Sequence, residues 1–135
     1  AIGYTRVPDS PFGWRENSIR ILRRGIPAGG GYSTIGDLHR FALALQSGKL
    51  ISQTSLHRLW ADDDRNNYGA GFEIGHGAVG ASAGHSGLDA GISTRVRLYL
   101  DRGYVAVVLA NIDRAAPPLL DAIEGELVRA PIQPR

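Results

Sequence analysis

Three groupings of residues in this 135-residue chain could carry chemistry. Zinc is held by imidazole or thiolate groups at short spacing, commonly with two ligands one helical turn apart. His39, His57, His76 and His85 have neither an i, i+4 pairing nor another short spacing, and the chain has no Cys to complete a site. No metal site is expected, and His39 and His57 read as exposed helix positions. Gly75-x-Gly77-x-x-Gly80 fits the dinucleotide fingerprint as a string, with Tyr68 to Ile74 as the preceding strand. That fingerprint needs a helix opening inside it, so that its first amides meet the pyrophosphate. Ala78 to Gly84 contains Gly80 and Gly84 and no amphipathic period. Asp62, Asp64, Asn66 and Glu73 fall at the ligand positions of a calcium loop. The obligatory turn glycine is Asn67 here, and alternation follows where a helix should begin, so a solvated loop entering a strand is expected. No cofactor is expected.

Charge and composition narrow the classes further. Fifteen basic and 13 acidic residues leave a net +2, too small an excess to call for a polyanion. Arg20, Arg23 and Arg24 cluster without interleaved aromatic residues that would stack on bases, so no nucleic-acid partner is expected. The absence of Cys removes disulfides, thiolate metal sites and cysteine nucleophiles, and leaves the compartment open. The longest apolar run, Tyr104 to Ala110, falls far short of the ~18–20 residues of a spanning helix, so no membrane span is expected. A hydrophobic content of 43% suffices for one core, and residues 1–135 are taken as a single unit.

The elements that would position any site follow from periodicity. Residues 1–27 are interrupted by Pro8, Pro11, Gly13, Gly25 and Pro27 and read as an irregular lead-in. Ile35, Leu38, Phe41, Ala42 and Leu45 fall at helical spacing between Thr34 and Gln46. Ser33 and Thr34 mark the start, Asp37 serves as a capping acid, and Gly48 marks the end. A second helix is expected from about Ser52 to Trp60, burying Leu56, Leu59 and Trp60. Tyr68, Ala70, Phe72 and Ile74 then alternate as one face of a strand, with Gly75-His76-Gly77 as a turn. After a Gly-rich stretch, Ile92 to Leu100 alternates between a core face and a wet face, and Asp101-Arg102-Gly103 joins it to Tyr104–Ala110, read as a central strand buried on both faces. Pro117 and Pro118 open a last helix with Leu119, Leu120, Ile123 and Leu127 as its stripe. Helices followed by hairpin-joined strands and a closing helix give an α+β fold, with an antiparallel sheet of at least three strands flanked by helices.

The most specific pattern is Pro27-Ala28-Gly29-Gly30-Gly31-Tyr32-Ser33-Thr34 followed by Asp37-Leu38 and Phe41. It resembles a segment of the serine β-lactamase, penicillin-binding-protein and esterase superfamily, on its class C side. Gly3-Tyr4, Ile51-Ser52, Tyr68-Gly69-Ala70-Gly71-Phe72, Gly84-His85-Ser86-Gly87 with Gly91, Asp101-Arg102-Gly103 and Val107 to Asn111 recur in the family's order and spacing. The resemblance covers nearly the whole chain and implies the C-terminal part of a β-lactamase/transpeptidase-like fold.

Three motifs meet at that family's site: Ser-x-x-Lys with the nucleophile, Tyr-x-Asn as base or relay, and Lys-Thr-Gly or His-x-Gly on an inner strand. A serine hydroxyl needs a neighbour to take its proton, and the tetrahedral intermediate needs fixed amides for its oxyanion. His85-Ser86-Gly87 resembles the third motif in its His-x-Gly form. The resemblance implies that His85 lines the cleft, that Ser86 and Gly87 contact substrate, Gly87 admitting the substrate chain, and that the Leu88 amide is half of the oxyanion hole. The competing reading is that His85 is a polar turn residue among structural glycines. The other two motifs are missing: Lys49 is the only lysine and has no Ser three residues before it, and no Tyr is followed two residues later by Asn.

In the family those motifs lie upstream of the Gly-Tyr landmark, so a C-terminal fragment of a serine hydrolase is expected. The parent would act on a small-molecule ester, amide or β-lactam through an acyl-serine intermediate, whereas this chain alone would be inactive. A non-catalytic binding module retaining the fold is the alternative. A chain lacking the family's N-terminal strands should expose a sheet edge, and self-association through it is expected.

Overall fold

The computed structural model describes residues 1–8, 11–17, 26–27, 29–62 and 66–132. In chain order its elements are β1 (Tyr4–Arg6), β2 (Trp14–Glu16), α1 (Ile35–Gln46), α2 (Gln53–Leu59), β3 (Glu73–Gly77), β4 (Gly80–Asp89), β5 (Ile92–Tyr99), β6 (Tyr104–Ala110) and α3 (Ala116–Leu127). The last four strands form one antiparallel sheet in the order β3-β4-β5-β6, and β1 and β2 pair as a separate hairpin. The fold is α+β as the residue pattern implied. Arg20, Arg23, Arg24 and Asp64 lie outside the described residues.

Capping decides where the first two helices begin. Thr34 Oγ1 accepts the Asp37 amide at 3.1 Å while its hydroxyl donates to the Asp37 carboxylate at 2.8 Å. Ser52 Oγ accepts the Ser55 amide at 3.1 Å at the head of α2. Each bond satisfies one of the amides a helix start leaves open, a cap that is typically worth about 1 kcal/mol. The third helix is held differently: Pro occupies its first turn, and the Ala116 amide donates to buried Ser93 Oγ at 3.1 Å.

The sheet is covered on both faces. On one side Leu98 packs with Ala42, Leu45 and Leu56, bordered by Val96, Leu100, Val105, Trp60 and Phe72. Burial of Leu98 to 1% exposure contributes about 1.5–3 kcal/mol. On the other side Tyr99 and Ala106 pack with Val79 and with Leu120 of α3. The expectation of one wet face on β5 is therefore corrected. Tyr99 and Ser93 lie on that face and are buried beneath α3, with the Tyr99 hydroxyl donating to Glu124 at 2.9 Å. Burial first, and then this bond, push the Tyr99 pKa up.

Further expectations change. Tyr68 to Phe72 is not strand: the Gly69 amide donates to the Phe72 carbonyl at 2.8 Å and closes a turn, so β3 starts at Glu73. The expected turn at 75–77 belongs to β3, and the Gly-rich stretch after it is the ten-residue β4. Its glycines permit close packing where propensity argues against a strand. Tyr104–Ala110 is not central: among the described residues β6 pairs only with β5, which leaves it at the sheet edge. The lead-in contains the β1–β2 hairpin, and Tyr4 bonds through its amide to the Asn111 carbonyl at 2.7 Å. The apolar stripe of α1 is only partly covered, for Ala42 and Leu45 are buried while Ile35 and Phe41 are 57% and 46% exposed.

Candidate active site

The phase of the β4 backbone sets what its motif can do. The Leu100 amide donates to the Ala81 carbonyl, so the odd-numbered residues of β4 turn their amides toward β5 and the even-numbered ones toward β3. β3 begins at Glu73, opposite Gly84, so its pairing with β4 stops there, whereas β4 continues to Asp89. The Ser86 amide, directed past that end, is taken by Glu73 Oε1 at 3.0 Å. The Leu88 amide, two residues on, is directed to the same side, where no strand lies alongside among the described residues. A backbone donor aimed off a fixed strand is the group an oxyanion hole requires.

Side chains alternate across this strand, so His85 and Gly87 project to the α1/α2 face and Ser86 to the α3 face. The Ser86 hydroxyl donates to Glu73 Oε1, the atom that also accepts its amide. The residue expected to touch substrate thus has hydroxyl and amide both tied to Glu73, on the face away from His85. Burial works to raise the Glu73 pKa, but the two Ser86 bonds with the Arg97 and His85 charges outweigh it and hold the carboxyl below its usual value. Arg97 Nη2 stands 3.7 Å from Glu73 Oε2. The two meet across Gly84, which is paired with both in the sheet and has no side chain to part them. A Cβ at Gly84 would strike the Val96 carbonyl.

His85 is exposed, and both ring nitrogens are engaged. Nδ1 lies 2.7 Å from the Ser86 carbonyl and Nε2 lies 2.9 Å from Tyr68 Oη. A carbonyl only accepts, so Nδ1 carries a proton, and in the neutral ring Nε2 accepts from the tyrosine hydroxyl. The two rings meet edge to face, with centroids 5.8 Å apart at 84°. The other three histidines do not approach this cluster in any bond among the described residues. Gly87 faces Thr94, whose Oγ1 a Cβ at position 87 would meet.

Beyond Leu88 the β4–β5 turn is anchored by the N-terminal hairpin. Asp113 accepts the Thr5 hydroxyl at 2.6 Å, the Arg6 amide at 2.9 Å and the Gly91 amide at 2.6 Å. The Thr5 bond chiefly holds its carboxyl below the usual value; burial opposes it, and the Gly91 and Arg6 amides with Arg114 add to the lowering. Buried Asn17 accepts the Gly3 amide at 3.1 Å and donates to the Ala90 carbonyl at 2.7 Å. The side chain of Leu88, 68% exposed, lines a cleft of about 740 Å³ with Arg6, Trp14, Asp89 and Arg114.

The motif named His85, Ser86, Gly87 and Leu88; it did not name Tyr68, which bonds His85, or Glu73, which bonds Ser86. In the sequence Tyr68 reads as a strand residue and as part of a Tyr-Gly-Ala-Gly-Phe string, and Glu73 as a calcium-loop position. The usable signal lay in Gly69, whose turn returns Tyr68 to an isolated bridge with Glu73 at the strand's start.

A family model described as Beta-lactamase matches residues 1–129. The chain is also similar to the crystal structure of a penicillin binding protein from Bacillus halodurans, at 27% identity and a TM-score of 0.83. That match covers 93% of this chain and 40% of the other, so the chain spans less than half the length of the protein it resembles. No curated protein matches.

Proposed function

This chain belongs to the beta-lactamase family, and on that premise we propose that it forms one wall of the cleft of an acyl-serine hydrolase. The observation that carries the reading is the Leu88 amide directed off the open side of β4, beyond the end of β3, on the strand that bears His85. A carbonyl bound there meets a backbone donor whose position is set by eight paired residues of β5. Such a donor needs no rearrangement as negative charge develops on the oxygen, which is the condition for transition-state stabilisation. Gly87 leaves room for the substrate chain along the strand. The Tyr68–His85 pair lines the α1/α2 side.

The nucleophile and its base are assigned to sequence outside these 135 residues, since Ser-x-x-Lys and Tyr-x-Asn do not occur in them. On this reading the chain is a C-terminal portion of the hydrolase and supplies no acyl-accepting serine of its own. The reaction class is acyl transfer from a small ester, amide or β-lactam. Incubation with a fluorophosphonate tests the division of labour: the 135-residue chain should remain unlabelled, and the product of the longer reading frame should be labelled. A non-catalytic binding module, which the missing motifs would equally suit, predicts no labelling of either.

A further inference from the structure

We infer that Tyr68 is a positioning and substrate-facing residue of this cleft, presenting a hydrogen-bond acceptor to an uncharged substrate that carries an N–H or O–H donor beside its scissile carbonyl. The inference rests on the hydrolase reading and adds to it a residue and a substrate chemistry. Neutral imidazole has one donor and one acceptor. In His85 the donor is spent on the Ser86 carbonyl at 2.7 Å and the acceptor on Tyr68 Oη at 2.9 Å. His85 therefore offers no polar atom of its own to a ligand.

The tyrosine hydroxyl spends its single donor on His85 and keeps its oxygen lone pairs, and Tyr68 is 43% exposed. What the motif shows to the cleft is thus an acceptor at Tyr68 Oη. A carboxylate placed there would set acceptor against acceptor, while an amide N–H or alcohol would complete the bond. The bond to Nε2 turns the hydroxyl hydrogen toward His85, and the two rings meet edge to face with their planes at 84°. The charged groups nearby, Glu73 and Arg97, are paired with each other on the opposite face of the sheet.

Two measurements test this. In the 135-residue chain, nitrogen NMR above the imidazole's titration range should show His85 as the Nδ1–H tautomer, with an Nε2 signal that moves toward the value of an unbonded imidazole nitrogen in Tyr68→Phe. An Nε2–H tautomer, or a signal indifferent to the substitution, overturns the inference whatever the enzyme does. In the product of the longer reading frame, an ester bearing an acylamino N–H is compared with its N-methyl analogue. The N–H substrate should be favoured by about 3–10-fold in kcat/KM, the range expected of one hydrogen bond, and Tyr68→Phe should bring the ratio near one. A purely structural loss would lower both substrates equally and leave the ratio unchanged, which overturns the inference. Absence of turnover with both substrates refutes the hydrolase reading, and the inference with it, even if the tautomer is as expected.

Discussion

Glu73 Oε1 accepts both the amide and the hydroxyl of Ser86, so the first residue of the short strand β3 is bonded to the middle residue of the motif on β4. This link continues the β3–β4 ladder by one side chain past its backbone end. It stiffens β4 just before the Leu88 amide, and it does so from the α3 side of the sheet. The polar partner is a carboxylate whose folded-state pKa lies below its usual value of 4.5.

A depressed pKa of this sign adds stability above the unfolded value, and that stability is lost as pH falls through the folded value. Wild-type chain should therefore lose stability to urea steeply below pH 4.5, and Glu73→Gln should show a shallower slope there with lower stability at pH 7. Parallel pH profiles for the two chains would remove Glu73 from the account.

Asp113 is expected to act as a staple between β1 and the β4–β5 turn. Asp113→Ala leaves the Gly91 and Arg6 amides and the Thr5 hydroxyl without their common acceptor. The cost should be about 1–2 kcal/mol by urea denaturation, modest for three bonds because water replaces part of them near the surface. Hydrogen exchange at Gly91 should rise in the variant while exchange at Leu98 stays slow.

The two motif-flanking glycines should respond differently to alanine. At Gly84 the new methyl meets the Val96 carbonyl, which is backbone and has no room to move, so a loss of more than about 3 kcal/mol or failure to fold is expected. At Gly87 it meets the Thr94 hydroxyl, which rotates away, so the melting midpoint should change by the equivalent of about 1 kcal/mol at most. In the longer product Gly87→Ala should nevertheless reduce acyl turnover, because the methyl fills the approach to the strand. Equal stability losses at both positions would contradict the packing described for β4.

Much of this was legible from residue types alone. Thr34 with Asp37, Ser52, and the Pro pair at the start of α3 announced their helices, since capping is a local matter settled within a turn. The identity of β4 was not legible, because a strand containing Gly80, Gly84 and Gly87 has poor propensity and is held by pairing with β3 and β5. The covering of Tyr99 and Ser93 by α3 was hidden for a related reason: alternation of polar and apolar residues cannot reveal that Glu124 and the Ala116 amide arrive from about 25 residues away to satisfy them. The motif singled out His85 and Leu88 as candidates, while Tyr68 needed the turn at Gly69 to be known first.

We propose that the open edge of β6, a strand that carries Leu109 at 36% exposure and contacts α1 with its uncovered Ile35 and Phe41, pairs with the same edge of a second chain. Unpaired strand amides and carbonyls flanked by apolar side chains favour that arrangement. Light scattering should give a mass that rises with concentration, and Val107→Lys, which puts a charge on the edge strand, should hold the chain monomeric. A monomer at all concentrations would contradict the proposal.

If this chain is a cleft wall, its nucleophile is supplied by other sequence. Intact-mass and peptide mass spectrometry after fluorophosphonate treatment of the longer gene product tests it most directly. One adduct is expected, on a serine outside residues 1–135, lost or slowed when the Gly87→Ala methyl fills the approach to the strand bearing Leu88. An adduct on any serine within these residues, or none anywhere in the product, would contradict it.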